Sequence, residues 1–286
     1  MNDLQKTEFD ILRTVTEICD RFGLTYFLVC GSALGAAKYG GFIPWDDDVD
    51  IGMYRDDYEK FCEIAPAQLP SYYFLQTYRT DPAFPAIFAK VRDARTTFIE
   101  KSLSELNVNH GVYIDIFPLD GYPKQKWDIK WLEYNKKINT LKLYCAYKFN
   151  SQQSFKSKCF LTVERVLGFP NRTDKIVKKY EKLISKYSIG DSDLICNHGN
   201  WQGKLEYAPK WHYGEGTWAA FEGLKVRIPE NYDAYLTQKY GDWRADLPEE
   251  QRAGHHYYEI MDLNRPYTDY VEVLPNGKIR LKNGND

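Results

Sequence analysis

Residues 43–51, IPWDDDVDI, place the carboxylates of Asp46, Asp47, Asp48 and Asp50 within five positions and bracket them with apolar residues. The alternation Asp48–Val49–Asp50–Ile51 has the period of a half-buried strand. Read as extended chain, Asp46, Asp48 and Asp50 share one face and Asp47 points to the other. Like charges carried on one face into a core cost several kcal/mol unless a cation or protons sit among them. A run of aspartates is usually a solvated turn whose side chains cap backbone groups. Here Val49 and Ile51 argue for burial, and Gly31–Ser32 upstream reads as a tight turn and helix start that offers backbone N–H groups to a phosphate. Hard carboxylate oxygens suit Mg²⁺ or Mn²⁺. The stretch therefore calls for a divalent ion bound together with a phosphate ligand.

Outward from it, FDILRTVTEICDRFG has apolar residues at helical spacing and stops at Gly23. LTYFLVC reads as a strand, rich in aromatic and β-branched residues. GSALGAAKYGGFIPW gives a turn at Gly31, an N-cap at Ser32 and a short helix over Ala33 to Lys38. DVDIGMY is the second strand and RDDYEKFCEIAPAQL the next helix. YYFLQTYR, AIFAKVRDARTTFIE and GVYIDIFPLD read as three further strands. The predicted order α-β-α-β-α-β-β-β is that of an α+β core with a mixed sheet flanked by helices. In GVYIDIFPLD, Asp115 lies amid apolar neighbours on a strand, where an acid needs a reason. Asp120, in LDGYP, reads as part of a turn.

Three regions follow from composition: a core over 1–123, a Lys-, Leu- and Tyr-rich helical segment over 124–190, and an irregular, Trp- and Gly-rich region over 191–286 that completes the site. In the last, VRIPENYDAYLTQKYGDW gives a short strand and a helix capped by Asn231 and ended by Gly241. LPNGKIRL gives a hairpin through Asn276–Gly277. The stretch HGNWQGKLEYAPKWHYGEGTW reads either as a platform for an acceptor sugar or as a satellite core under a long loop.

The 286 residues carry 38 basic and 40 acidic side chains. That balance lacks the basic excess of a general nucleic-acid binder. The six cysteines show no metal-ligand spacing, and three of them, within apolar runs, read as reduced core residues. The N-terminus has no basic region followed by an apolar stretch, and no segment approaches about 20 apolar residues. The expectation is a cytoplasmic protein without a membrane span, free to associate peripherally with a membrane surface.

An acidic pair on a strand opposite a Gly-Ser helix start, with a third carboxylate on a later strand, resembles the nucleotidyltransferase fold of polymerase β-type enzymes. The longer stretch GSALGAAKYGGFIPWDDDVDIGMYRDDYEKF, residues 31–61, closely resembles the LicD family of phosphotransferases, which includes phosphocholine transferases and fukutin-related ribitol-phosphate transferases. AKVRDARTTFIE, GVYIDIFPLDGYP and VRIPENYDAYLTQKYGDWRADLPEEQR are similar to further blocks of that family. The resemblance implies that Asp48 and Asp50 bind metal, with Asp46 a further acidic position and Asp115 the third carboxylate. It implies that Gly31 and Ser32 form the phosphate-facing turn. Lys38–Tyr39 stands where many relatives have Arg–His, so a point charge replaces a bidentate fork. The fukutin-related zinc site is not recognisable, and no zinc is expected.

The implied reaction is attack by a glycan hydroxyl on the phosphorus of a CDP-activated alcohol, CDP-choline above all, with release of CMP. Two ions, Mg²⁺ or Mn²⁺, stabilise the attacking and leaving oxygens in such a displacement. Asp48, Asp50 and Asp115 are the catalytic candidates, and Asp46, Asp48, Asp50 and Asp115 the metal ligands. Asp115 can also take the proton of the attacking hydroxyl. Lys90 and Arg92, two residues apart on one strand face, are candidates for the phosphates, followed by Lys38. Trp45 can stack on the base, lie over a choline methyl cluster or simply pack. His255, beside His256, can reach the pyrophosphate. The competing readings are a nucleotidyltransferase acting on a small molecule and a non-catalytic sugar- or nucleotide-binding protein.

Overall fold

The computed structural model describes residues 1–144, 172–200, 203–249, 252, 254 and 257–282. Its main sheet is mixed. Strands β1 (Tyr26–Leu28), β2 (Asp50–Tyr54), β3 (Tyr73–Gln76), β4 (Ala89–Asp93) and β6 (Val112–Gly121) run in the order β1-β2-β6-β4-β3. Only β2 and β6 pair in parallel. Strand β6 is long enough to pair β4 along its first half and β7 (Leu194–Asn197) along its last three residues. Strand β8 (Tyr207–Pro209) then adds to β7. The outcome is the α+β architecture expected, with the sheet extended by strands from beyond residue 190.

Alternation along the strands separates two faces. Ile51, Met53, Val91, Ile114 and Ile116 pack on helix α1 (Asp3–Phe22), which contributes Ile11, Leu12, Val15, Ile18 and Cys19. Burial of such side chains stabilises by about 1.5–3 kcal/mol each. Phe117 and Leu119, with Phe27 and Val29, face the other way. They meet Ala33 of helix α2 (Cys30–Tyr39), and Tyr235 and Leu236 of the helix Tyr232–Tyr240. Asp50 and Asp115 belong to this second face, being odd steps from Ile51 and Ile114. Helix α3 (Arg55–Gln68) follows β2 directly.

Four expectations need correction. Helix α2 begins at Cys30, so Gly31 and Ser32 lie inside it and its N-cap is Val29. The turn into the helix falls on Cys30, at φ +53°. Strand β2 begins only at Asp50, so residues 46–49 lie outside the sheet's ladder. The stretch 86–100 is two strands, because the chain turns after Asp93. Strand β5 (Thr97–Glu100) then leaves the main sheet to pair with Tyr258–Asp262. Asp120 lies within β6, fully inside the protein, where Arg55 grips both carboxylate oxygens at 2.8 and 2.6 Å.

The helix from Tyr232 ended by Gly241 and the hairpin through Asn276–Gly277 form as expected, but the Asn231 side chain does not cap the helix and donates instead to the Trp211 carbonyl at 2.7 Å. Strands over 194–197, 207–209 and 217–221 were not legible in their Gly- and Trp-rich setting. In the helical segment, α4 (Lys126–Tyr144) packs against α5 (Thr173–Ile184). Among the described residues no helix is long and apolar enough to cross a membrane.

Candidate active site

The site starts from strand pairing. Asp50 and Asp115 are register partners on the parallel strands β2 and β6, and Lys90 on β4 is the partner of Asp115 across the other edge. Asp50, Asp115 and Lys90 therefore lie in a row across three strands. The Asp50 backbone is pinned on both sides. Its N–H donates to the Ser32 hydroxyl at 2.8 Å and its carbonyl accepts from Val29 at 3.0 Å. The Asp115 N–H donates to the Val49 carbonyl at 2.9 Å. Predicted to face a phosphate, Ser32 is buried and its hydroxyl accepts from the strand that carries Asp50.

Asp46, Asp47 and Asp48 lie between the turn at Pro44–Trp45 and this strand. Each brings a carboxylate oxygen within 4.8 Å of the others. Asp47 thus joins its neighbours instead of pointing away, because residues 46–49 are irregular chain ahead of the strand. Gly31 has no side chain for a direct reason: a Cβ there would sit 2.8 Å from Asp46 Oδ2. Gln5 on α1 holds the turn from below, donating to the carbonyl of Asp46 at 3.0 Å.

These groups border a cleft of about 490 Å³. Cys30, Gly31 and Leu34 from the start of α2, Trp45, and Asp46, Asp48 and Asp50 line it, with Lys38 and the 242–247 loop at its far side. Trp45 is half-buried on the cleft wall, edge-on to Tyr39 and beneath the Arg252 guanidinium. Lys38 is held at the mouth by Asp246 at 3.0 Å and the Ala245 carbonyl at 2.8 Å.

The chain supplies two buried cations to the carboxylates. Lys90 pairs with Asp115 at 2.9 Å and lies over the Tyr113 ring. Lys239 sits behind Asp50, bonded to Glu206 and beside the Cys30 thiol. Burial pushes the Asp50 carboxyl well above the usual range; Asp48, Asp115 and Asp46 push the same way, and Lys239 pulls it back. Arg92 is corrected. It shares the Lys90 face, but is fully buried and bonded to Gln76, Gly111 and Glu100, so it braces the core and does not reach the cleft. His255 and His256 lie outside the described residues.

Two site residues were missed. Lys239 occupies the buried face of its helix with Tyr235 and Leu236, a spacing visible in the sequence. Glu8 continues the buried stripe of α1, is 2% exposed, and its Oε2 has no hydrogen-bond partner. Burial, then Asp48, Asp47 and Asp46, hold its carboxyl well above the usual range. The signal in each case was a polar residue in register with a buried apolar stripe, Ile11, Leu12 and Val15 for Glu8 and Tyr235 and Leu236 for Lys239.

Fold and site together define an α+β domain whose cleft is lined by Asp46, Asp48 and Asp50, with Asp115 paired to Asp50 on the adjacent strand. Residues 23–148 match the LicD/FKTN/FKRP nucleotidyltransferase domain, so the chain carries a domain of the LicD family. Over 270 residues it is 27% identical to the lipopolysaccharide cholinephosphotransferase LicD of Haemophilus influenzae, spanning 92% of this chain and 98% of that protein. The ribitol 5-phosphate transferase FKRP is 27% identical in Mus musculus and 28% in Homo sapiens over 128 residues, covering 44% of this chain and 23% of FKRP.

Proposed function

We propose that this chain is a metal-dependent transferase with a nucleotidyltransferase-type core. It moves a phospho-alcohol, phosphocholine above all, from a CDP-activated donor to a glycan hydroxyl and releases CMP. The observation that carries the reading is the pairing of Asp50, which lines the cleft beside Asp46 and Asp48, with Asp115 on the adjacent parallel strand. The likeness to LicD of H. influenzae over most of the chain supports the transferred group and the glycan acceptor.

The donor set fits Mg²⁺ or Mn²⁺: it is all carboxylate oxygen, with more negative charge than Lys90 and Lys239 offset. Asp46, Asp48, Asp50 and Asp115 would hold two such ions. Divalent ions there neutralise the donor phosphates and the charge that develops in the displacement. The remaining work belongs to the chain. Cys30, Gly31 and Leu34 bring the start of α2 to the cleft wall, where the helix dipole favours a phosphate, although the Cys30 N–H is taken by the Tyr235 hydroxyl at 3.1 Å. Trp45 offers a face for the donor's base or quaternary ammonium, and Lys38 a charge at the mouth. The acceptor oxygen forms its bond to phosphorus as the bond to CMP breaks. Asp115, paired with Lys90, is the carboxylate placed to accept the acceptor's proton.

The test is CMP release from a panel of CDP-choline, CDP-ethanolamine, CDP-ribitol and CDP-glycerol, with and without Mg²⁺, for the wild type and Asp50→Asn. Metal-dependent release that the substitution removes is expected. Release that proceeds equally in a chelator would refute the metal assignment.

A further inference from the structure

A second cavity, of about 300 Å³, lies between helices α4 and α5 and the segment that follows β7. It borders the cleft, with Asn200 standing in the wall of both. The sheet face that carries the carboxylates leads straight to it. Lys90, paired with Asp115, lies over the Phe88 ring, and Phe88 packs on Phe117 with ring centroids 4.7 Å apart. Phe117 follows Asp115 by two residues on the same face, about 7 Å along the strand. Gly199 closes down on these rings so tightly that a Cβ would lie 2.9 Å from each. The cavity thus abuts the site on the Asp115 side.

Its walls have the chemistry of a carbohydrate site. Phe88, Tyr180 and Tyr207 give flat apolar surface, and Asn197, His198 and Asn200 give amide and imidazole groups. Asn197 and His198 are 2% and 7% exposed, and neither Asn197 Nδ2 nor His198 Nε2 has a hydrogen-bond partner. The charges are balanced within the wall. Lys136 is held by Glu133 and by the Tyr207 hydroxyl, which itself donates to Glu133. Burial keeps His198 neutral. A wall without net charge does not select a phosphate or an amine. It suits a neutral ring that carries hydroxyls.

We propose that this cavity binds a neutral pyranose ring of the acceptor and directs one of its hydroxyls along the Phe88–Phe117 face toward Asp115. The proposal rests on the transferase reading for the direction of attack, but not for the binding itself. It also gives a role to the start of the aromatic stretch from His198, whose Tyr207 is part of the wall while Trp211 and Trp218 stand exposed on the surface.

The test is saturation-transfer NMR on the full chain with methyl glycosides of glucose, galactose and N-acetylglucosamine. At least one glycoside should show transfer to its ring protons. Its signal should persist when CDP-choline and Mg²⁺ are added at saturation, because the two ligands occupy different cavities. Thr140→Phe, which fills the cavity from α4, should abolish that signal, and Thr140→Val should keep it. Absence of transfer for all three glycosides, displacement by CDP-choline, or an unchanged signal in a folded Thr140→Phe would each overturn the proposal. Failure of CDP-choline itself to bind the wild type would instead count against the transferase reading, while glycoside binding that Thr140→Phe removes would still stand.

Discussion

Removing one oxygen atom at Ser32 separates two roles that the sequence leaves open for it. If the hydroxyl faced a donor phosphate, Ser32→Ala would weaken donor binding and leave the free protein as stable as before. In the structure the hydroxyl accepts the N–H of Asp50 at 2.8 Å, with Ser32 and Asp50 3% and 7% exposed. Alanine would leave that amide buried without an acceptor. An orphaned buried donor costs about 1–3 kcal/mol. A loss near 2 kcal/mol lowers the melting temperature by roughly 4–8 °C in a chain of this class of size. The assay is thermal unfolding of the free protein, supported by urea titration to obtain the shift of the midpoint at constant slope. Turnover should fall as well, because Asp50 loses one of the two hydrogen bonds that fix its backbone. A variant that melts with the wild type while its KM for the donor rises tenfold would refute the reasoning and restore Ser32 to the phosphate.

Asp50→Asn should abolish CMP release and yet raise the melting temperature of the metal-free protein, since burial and three neighbouring carboxylates oppose its charge; calorimetry with and without Mg²⁺ measures both. Glu8→Gln should likewise stabilise the metal-free protein at pH 7. A carboxyl held above its ordinary range in the fold weakens stability once the unfolded chain ionises, and the amide removes that cost; equal urea midpoints for variant and wild type would count against it. Arg55→Met leaves Asp120 buried without its bidentate partner and should cost about 3–5 kcal/mol, read from urea unfolding. Burial, and then the nearby Arg92 charge, push His110 down to about 4. Its folded pKa lies below the ordinary value, so the unfolded chain binds the proton first and stability falls as pH drops below about 6.5, by about 2 kcal/mol at pH 5. His110→Gln should flatten that part of the stability profile, whereas an unaltered slope would place the effect elsewhere.

The chain's own pattern determined much of this protein. Periodicity marks α1 and its stop at Gly23, the helix from Tyr232 to Tyr240, and the hairpin through Gly277, because each rests on local spacing and on backbone conformations that few residues adopt. Asp48, Asp50 and Asp115 stand out for a similar reason: an acid among alternating apolar residues is costly wherever it folds, and so is visible without coordinates. Tertiary structure decided what those charges meet. No local rule pairs Asp50 with Asp115 in register, sets Lys239 behind one and Lys90 beside the other, or sends Arg92 into the core while its neighbour on the same strand face reaches the site. The partner of Ser32 was likewise hidden, since a hydroxyl at a helix start serves a phosphate or a strand amide equally well by sequence. Strand β7 and the cavity beside it arise only when residues far apart in the chain close against each other, and the free energy of that closure belongs to packing, not to any single stretch.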